Sequence, residues 1–153
     1  VAVKTTAHRL EPEKLLPKRL FMTYHCGQML SLSCASRMSL FATACLNDET
    51  VRLWDFNDIS GPGILIEHFH ERSEEMPLCF DLHPSGRFLI FGTEDSIKEY
   101  AVTENKFELM KRLSTKVAVT TPNGEPYANT APVTIVKYSN GGHLLAVVTG
   151  RLI

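Results

Sequence analysis

The sequence predicts an all-β chain, and three observations predict it. Short apolar runs alternate with turn residues along nearly the whole length, the pattern of short strands joined by tight turns. Helical periodicity of four turns or more is absent. Two stretches of the chain repeat one another in pattern. The expected strands are Arg19–Tyr24, Met29–Cys34, Leu40–Cys45, Thr50–Trp54, Gly63–His68, Pro77–Leu82, Arg87–Phe91, Ser96–Val102, Phe107–Leu113, Pro132–Tyr138 and Leu144–Thr149. Residues 1–18 are polar, broken by Pro12 and Pro17, and read as a lead-in. Residues 114–131, with Pro122, Pro126 and an Asn123-Gly124 pair suited to a hairpin tip, read as an inserted surface loop.

The turns carry their own chemistry. In His83-Pro84-Ser85-Gly86 the proline fixes φ and the glycine supplies positive φ. Ser139-Asn140-Gly141-Gly142 does the same further on. Each turn separates two apolar strands, Phe80–Leu82 from Phe88–Ile90 and Ile135–Tyr138 from Leu144–Ala146. Asp48-Glu49-Thr50-Val51-Arg52-Leu53-Trp54 aligns with Glu94-Asp95-Ser96-Ile97-Lys98-Glu99-Tyr100. Trp54 and Tyr100 are 46 residues apart, and Gly86 and Gly142 are 56 apart. Four strands in a unit of about 40–45 residues mark a β-propeller blade, and the insertion 114–131 accounts for the longer interval. The units are a blade ending near residue 55, a second over 63–113, and a truncated one over 132–153. Two and a half to three blades do not close a ring, which takes about 4–8. Each blade buries its faces on its neighbours, so the chain reads as a segment of a larger propeller.

Composition narrows the function. Lys+Arg is 16 and Asp+Glu 17, a net charge of -1 in 153 residues, without the basic footprint of a nucleic-acid binder. No apolar run approaches the roughly 18 residues of a membrane span. The absence of an Asn-x-Ser/Thr acceptor fits an intracellular chain. Cys26, Cys34, Cys45 and Cys79 are spaced by 8, 11 and 34 residues without a Cys-x-x-Cys, so neither a zinc ribbon nor a redox pair is expected. Cys34, Cys45 and Cys79 lie in apolar runs and read as small core residues.

Residues 19–153 resemble the WD-repeat β-propeller family. Asp48-Glu49-Thr50-Val51-Arg52-Leu53-Trp54-Asp55 matches the end of its repeat, and His25, 29 residues before Trp54, stands where the family has the His of a Gly-His pair. Tyr24 replaces that glycine. The resemblance implies a structural hydrogen-bonded set of His25, Asp48, Trp54 and a Ser/Thr. The Ser/Thr position falls on Ala44, with Thr43 one place away. In the second unit Tyr100 replaces the Trp, and no Gly-His pair stands near His68 or His70. More narrowly, Leu82–Phe88 and Tyr138–Val148, above all Ser139-Asn140-Gly141-Gly142-His143-Leu144, resemble segments of the WD-repeat proteins of ciliary and flagellar axonemes.

The resemblance implies a non-enzymatic protein–protein interaction scaffold, a structural protein of the cilium or flagellum. Its partners would be axonemal complex subunits and tubulin, with no membrane or nucleic acid bound. The rest of the propeller would come from the same longer chain. The alternative is a WD-repeat adaptor in RNA processing, trafficking or ubiquitin transfer. Candidate contact residues are Asp58, Glu71, Arg72, Glu74 and Glu75 between the first two blades, and Asn123, Glu125 and Tyr127 in the insertion. No catalytic, cofactor or metal residues are expected. His68 and His70 share a side of a strand but lack a third ligand at fixed spacing. Ser85, His83 and Asp81 make a triad only on paper, without a Gly-x-Ser-x-Gly elbow. Gly61-Pro62-Gly63 and Gly141-Gly142 lack the Lys and spacing of a phosphate loop.

Overall fold

The computed structural model describes residues 6–10, 17–22, 24–45, 47–48, 50–58, 64–68, 77–103, 107–120, 123 and 126–150. Every regular element among them is a β-strand. β1 (Thr6–Leu10) and β2 (Pro17–Met22) form an antiparallel hairpin. β3 (Met29–Cys34), β4 (Leu40–Cys45), β5 (Thr50–Asp55) and β6 (Ile64–His68) make a four-stranded antiparallel meander in sequence order. β7 (Cys79–Leu82), β8 (Phe88–Gly92), β9 (Ser96–Val102) and β10 (Phe107–Ser114) make a second one. β11 (Lys116–Thr120) and β12 (Pro126–Thr130) pair as a hairpin, and β13 (Val133–Tyr138) and β14 (Leu145–Thr149) form a third, two-stranded sheet. The fold is all-β, with successive meanders laid side by side as in a partial propeller.

Alternation along the strands explains the packing, since side chains of a strand point to opposite faces in turn. Ala42 and Ala44 of β4 and Val51 and Leu53 of β5 face the second sheet. There they meet Phe80, Leu82, Leu89, Phe91 and Tyr100 in one buried cluster. The other face of the second sheet sends Ile90 and Ile97 against Val133 and Val136 of the third. Each sheet thus has one apolar face toward each neighbour, and a fully buried Leu or Phe contributes about 1.5–3 kcal/mol.

The leading strands of the three sheets converge on Asp81 of β7. Its Oδ1 accepts from Ser33 Oγ of β3 (2.6 Å) and from Lys137 Nζ of β13 (2.7 Å), and its Oδ2 accepts from Tyr138 N (2.8 Å). A buried carboxylate needs such partners, and here they join three sheets.

Three expectations are corrected. Residues 1–18 are not only a lead-in, because Thr6–Leu10 is paired with the next strand. The insertion is a hairpin, with Thr120 opposite Pro126 and Asn123 in the turn between them. Cys45 is buried, but Cys34 is exposed and Cys79 half-buried. Cys34 lies opposite Phe41 on the face of the first sheet turned away from the second, so an apolar run did not ensure its burial.

Candidate functional site

The densest polar arrangement lies on that outward face of the first sheet. Register fixes its geometry: Phe41 is opposite Trp54 and Thr43 opposite Arg52, so Phe41, Thr43 and Trp54 share a face. Trp54 Nε1 donates to Thr43 Oγ1 at 2.8 Å. Having accepted that proton, the Thr43 hydroxyl donates to His25 Nε2 at 2.9 Å. His25 Nδ1–H then donates to Asp48 Oδ2 at 3.0 Å. Asp48 Oδ2 also accepts from Cys26 N (3.0 Å), and Oδ1 accepts from Thr50 N (3.1 Å) and Thr50 Oγ1 (2.7 Å). Indole, hydroxyl, imidazole and carboxylate therefore form one directed relay, and its donor order fixes the imidazole as the Nδ1–H tautomer.

The titration behaviour agrees. Burial lowers the His25 pKa below 6.5, and the bond to Asp48 offsets this only in part, so the ring is neutral. For Asp48 burial alone would raise the pKa. The Thr50 hydroxyl, the Cys26 N–H and His25 outweigh it and hold the carboxyl down at about 2.

The missing hydroxyl of the sequence pattern is therefore Thr43, while Ala44 faces the second sheet. Counting by twos from Phe41, the residue opposite Trp54, would have found it. Tyr24 has left-handed backbone, with φ of 55°, and its ring stacks on Trp54 at 6.5 Å. Asp55 stands outside the relay and holds the next turn, Oδ1 accepting from Asn57 N at 2.8 Å.

The relay holds a hydroxyl, an imidazole and a carboxylate in the order of a nucleophilic triad. Thr43 is fully buried and its oxygen lies between Trp54 and His25, so a substrate carbonyl cannot approach it. Ligand atoms of His25, Cys45 and Asp48 lie within 4.8 Å of one another, close enough for a metal. Both His25 nitrogens and both Asp48 oxygens already hold hydrogen bonds, however. Burial raises the Cys45 pKa, whereas a metal ligand must be a thiolate. The set is a structural staple.

The paper triad does not assemble. Asp81 serves Ser33, Lys137 and Tyr138. His83 Nδ1 receives Ser85 N (3.1 Å) and Ser85 Oγ (2.7 Å), which leaves Nε2–H to donate to Gly142 O at 3.2 Å. His83 thereby links the two Gly-containing turns, a contact no sequence pattern signalled. Of the candidate contact residues, Asp58 and Asn123 are exposed. Tyr127 lies in β12, its side chain outside the described residues. Glu71, Arg72, Glu74, Glu75 and Glu125 lie outside them, as does His70, while His68 ends β6.

Among the described residues no helix is long and apolar enough to cross a membrane. No protein-family model matches the chain. The chain is similar to a curated mouse protein, cilia- and flagella-associated protein 57 of Mus musculus, with 26% identity over 134 residues. The match covers 88% of this chain but only 9% of that relative's length.

Proposed function

We propose that the chain is a stretch of WD-repeat propeller that serves as a non-enzymatic protein–protein scaffold in the axoneme of cilia and flagella. The observation that carries the ciliary setting is the similarity to a cilia- and flagella-associated protein across most of this chain. The relay of Trp54, Thr43, His25 and Asp48 supports the WD-repeat reading, because His25, Asp48 and Trp54 occupy the positions that the resemblance assigns to a blade's staple and Thr43, one place from the assigned Ser/Thr position, supplies the hydroxyl. The two-stranded third sheet, beside two four-stranded ones, and the far greater length of the relative support a propeller whose remaining blades come from the same longer polypeptide. Rigid strands hold the loops, and the loops bind. The partners are other axonemal proteins and tubulin, with no nucleic acid and no cofactor.

The test is to tag the full-length protein in a ciliated cell and extract the cilia with detergent. Signal along the axoneme that survives extraction is expected. A diffuse cytoplasmic or nuclear signal would overturn the axonemal setting and leave an adaptor of another complex. Within the axonemal reading, changing Glu71, Glu74 and Glu75 together to Lys weakens capture of a partner. Unchanged capture removes that loop as the docking face.

A further inference from the structure

Ser114 is the one Ser or Thr of the chain with cations at both the third and the second residue before it, Lys111 and Arg112. It closes β10, a strand exposed at every residue from Glu108 onward. β10 pairs with β9 on one side, and no described strand lies on its other side. Lys111, Arg112, Leu113 and Ser114 therefore run in extended backbone along a free edge. They end where the pairing with β9 ends, Ser114 opposite Ser96. The neighbouring hydroxyl is not presented in this way, since Thr115 Oγ1 is buried.

The charges around Ser114 add a second observation. Past the register shift between Leu109 and Lys111 the pairing of β10 is regular, so Arg112 and Ser114 share a face. Arg112 Nη2 lies 3.6 Å and Lys116 Nζ 3.2 Å from one oxygen, Asp95 Oδ2. These two cations stand two residues before and two residues after Ser114, whose Oγ accepts from Lys116 N at 3.2 Å. Both cationic side chains are half exposed, and Asp95 is buried. Ion pairs with one exposed partner are weak and exchange readily. Ser114 thus sits between two cations that a single carboxylate now neutralises.

We propose that Ser114 is a phosphorylation site for a Ser/Thr kinase that selects basic residues before its serine, and that the phosphate draws Arg112 and Lys116 away from Asp95. Lys111 and Arg112 supply the charge pattern that the acidic subsites of such a kinase select. The Ser114 hydroxyl attacks the γ-phosphorus of ATP. The new O–P bond forms as the bond from the γ-phosphorus to the bridging oxygen breaks, ADP leaves, and the hydroxyl proton passes to the base of the kinase. The product carries about −1.5 to −2 charges and three acceptor oxygens, so it outcompetes the single charge of Asp95 for both cations. The Arg112 fork can meet two of those oxygens at once. Asp95 also ties β10 to the turn between β8 and β9, its carbonyl accepting from Thr115 N at 2.8 Å and its Oδ1 from Thr93 Oγ1 at 3.3 Å. The modification therefore acts on that turn as well as on the edge strand. Nothing in this geometry depends on the ciliary setting.

The test incubates the folded chain with ATP, Mg²⁺ and the catalytic subunit of cyclic-AMP-dependent protein kinase, which has this preference, and locates the phosphate by mass spectrometry. Ser114 is expected to be the main site, and Ser114→Ala to abolish it. Lys111→Ala, which removes a cation bound to neither Asp95 nor Ser114, is expected to slow the modification by about tenfold. Phosphate on another residue in place of Ser114 overturns the assignment. So does modification of a synthetic peptide of residues 107–118 but not of the folded chain, because the fold then hides the serine. NMR titration of the Asp95 carboxyl tests the transfer of the cations. Its midpoint is expected to move up once Ser114 is phosphorylated, as the cations leave and a dianion arrives. An unmoved midpoint would overturn the transfer and confine the effect to the edge strand.

Discussion

The first and second sheets solve one packing problem with opposite chemistry. Both place a large aromatic residue opposite the central strand, Trp54 across from Phe41 and Tyr100 across from Leu89. Two residues further along that strand they diverge. The first sheet has Thr43, whose hydroxyl takes the indole proton and passes its own to His25. The second has Phe91, whose ring meets Tyr100 edge-on. A polar lock demands every partner in place, since an unpaired buried group costs about 1–3 kcal/mol. An apolar lock demands only shape and volume. This freedom explains why the second unit can drift from the repeat pattern while its meander stays the same.

The largest effects come from breaking each lock in its own way. Phe91→Ala removes a fully buried ring and costs about 3–5 kcal/mol, as large-to-small changes in cores do. Thr43→Val keeps the volume but removes the oxygen that joins Trp54 to His25, and costs about 2–3 kcal/mol through the stranded polar groups. Urea unfolding midpoints measure both. A Thr43→Val protein as stable as the original would mean that the relay adds nothing beyond packing. The turn contact is next in size. A Cβ on Gly142 (φ +77°) would collide with the His83 imidazole, so Gly142→Ala costs about 1–3 kcal/mol in backbone strain alone. His83→Ala, which loses the bonds to Ser85 and to Gly142 and the edge contacts with Phe88 and Tyr138, costs about 1–3 kcal/mol.

Acid separates the two locks further. The His25 pKa is lowered in the folded protein, so the unfolded chain binds the proton more readily. Its contribution is complete above pH 6.5 and falls away as the pH drops below that value. Asp48 is depressed from 3.8 to about 2, so its contribution is lost as the pH falls through the range between those values. Both losses fall on the first sheet. The Trp54 indole N–H is therefore expected to exchange faster at pH 5 than at pH 7, after correction for intrinsic rates. The Leu89 and Tyr100 amides change less. Equal acceleration in both sheets would show that acid acts on the whole fold and not through His25.

The strand order was legible because alternation and turn residues state it directly. β3, β4 and β9 have the bounds expected for them. The strand Thr6–Leu10 was not legible, and in 114–131 only the Asn123-Gly124 tip was, not the strands beside it, because their composition is that of loops and pairing supplies what propensity does not. Within the relay, His25, Asp48 and Trp54 could be read from spacing alone. Thr43 could not until strand register showed which face it shares with Trp54. Links between turns, such as His83 to Gly142, leave no periodic trace, and neither does the convergence of Ser33 and Lys137 on Asp81.

The smallest effect sharpens the comparison at a single backbone angle. Tyr24 is the one described non-glycine residue with positive φ, and it precedes His25, where left-handed backbone turns the imidazole into the relay. An L side chain in that region costs about 1–2 kcal/mol. Its ring is 56% exposed and lies on Trp54, which returns part of that cost. Two substitutions separate the terms. Tyr24→Ala keeps the strain and loses the stacking, and is expected to destabilise by about 0.5–1.5 kcal/mol. Tyr24→Gly loses the same stacking but relieves the strain, and should come out about 1 kcal/mol more stable than the alanine protein even though glycine has more unfolded-state entropy to lose. Thermal midpoints of the three proteins decide it. If Gly and Ala are equal, the strain of the left-handed turn is no larger than glycine's entropy cost, about 0.5–1 kcal/mol, and the stacking on Trp54 is the larger part of what Tyr24 contributes.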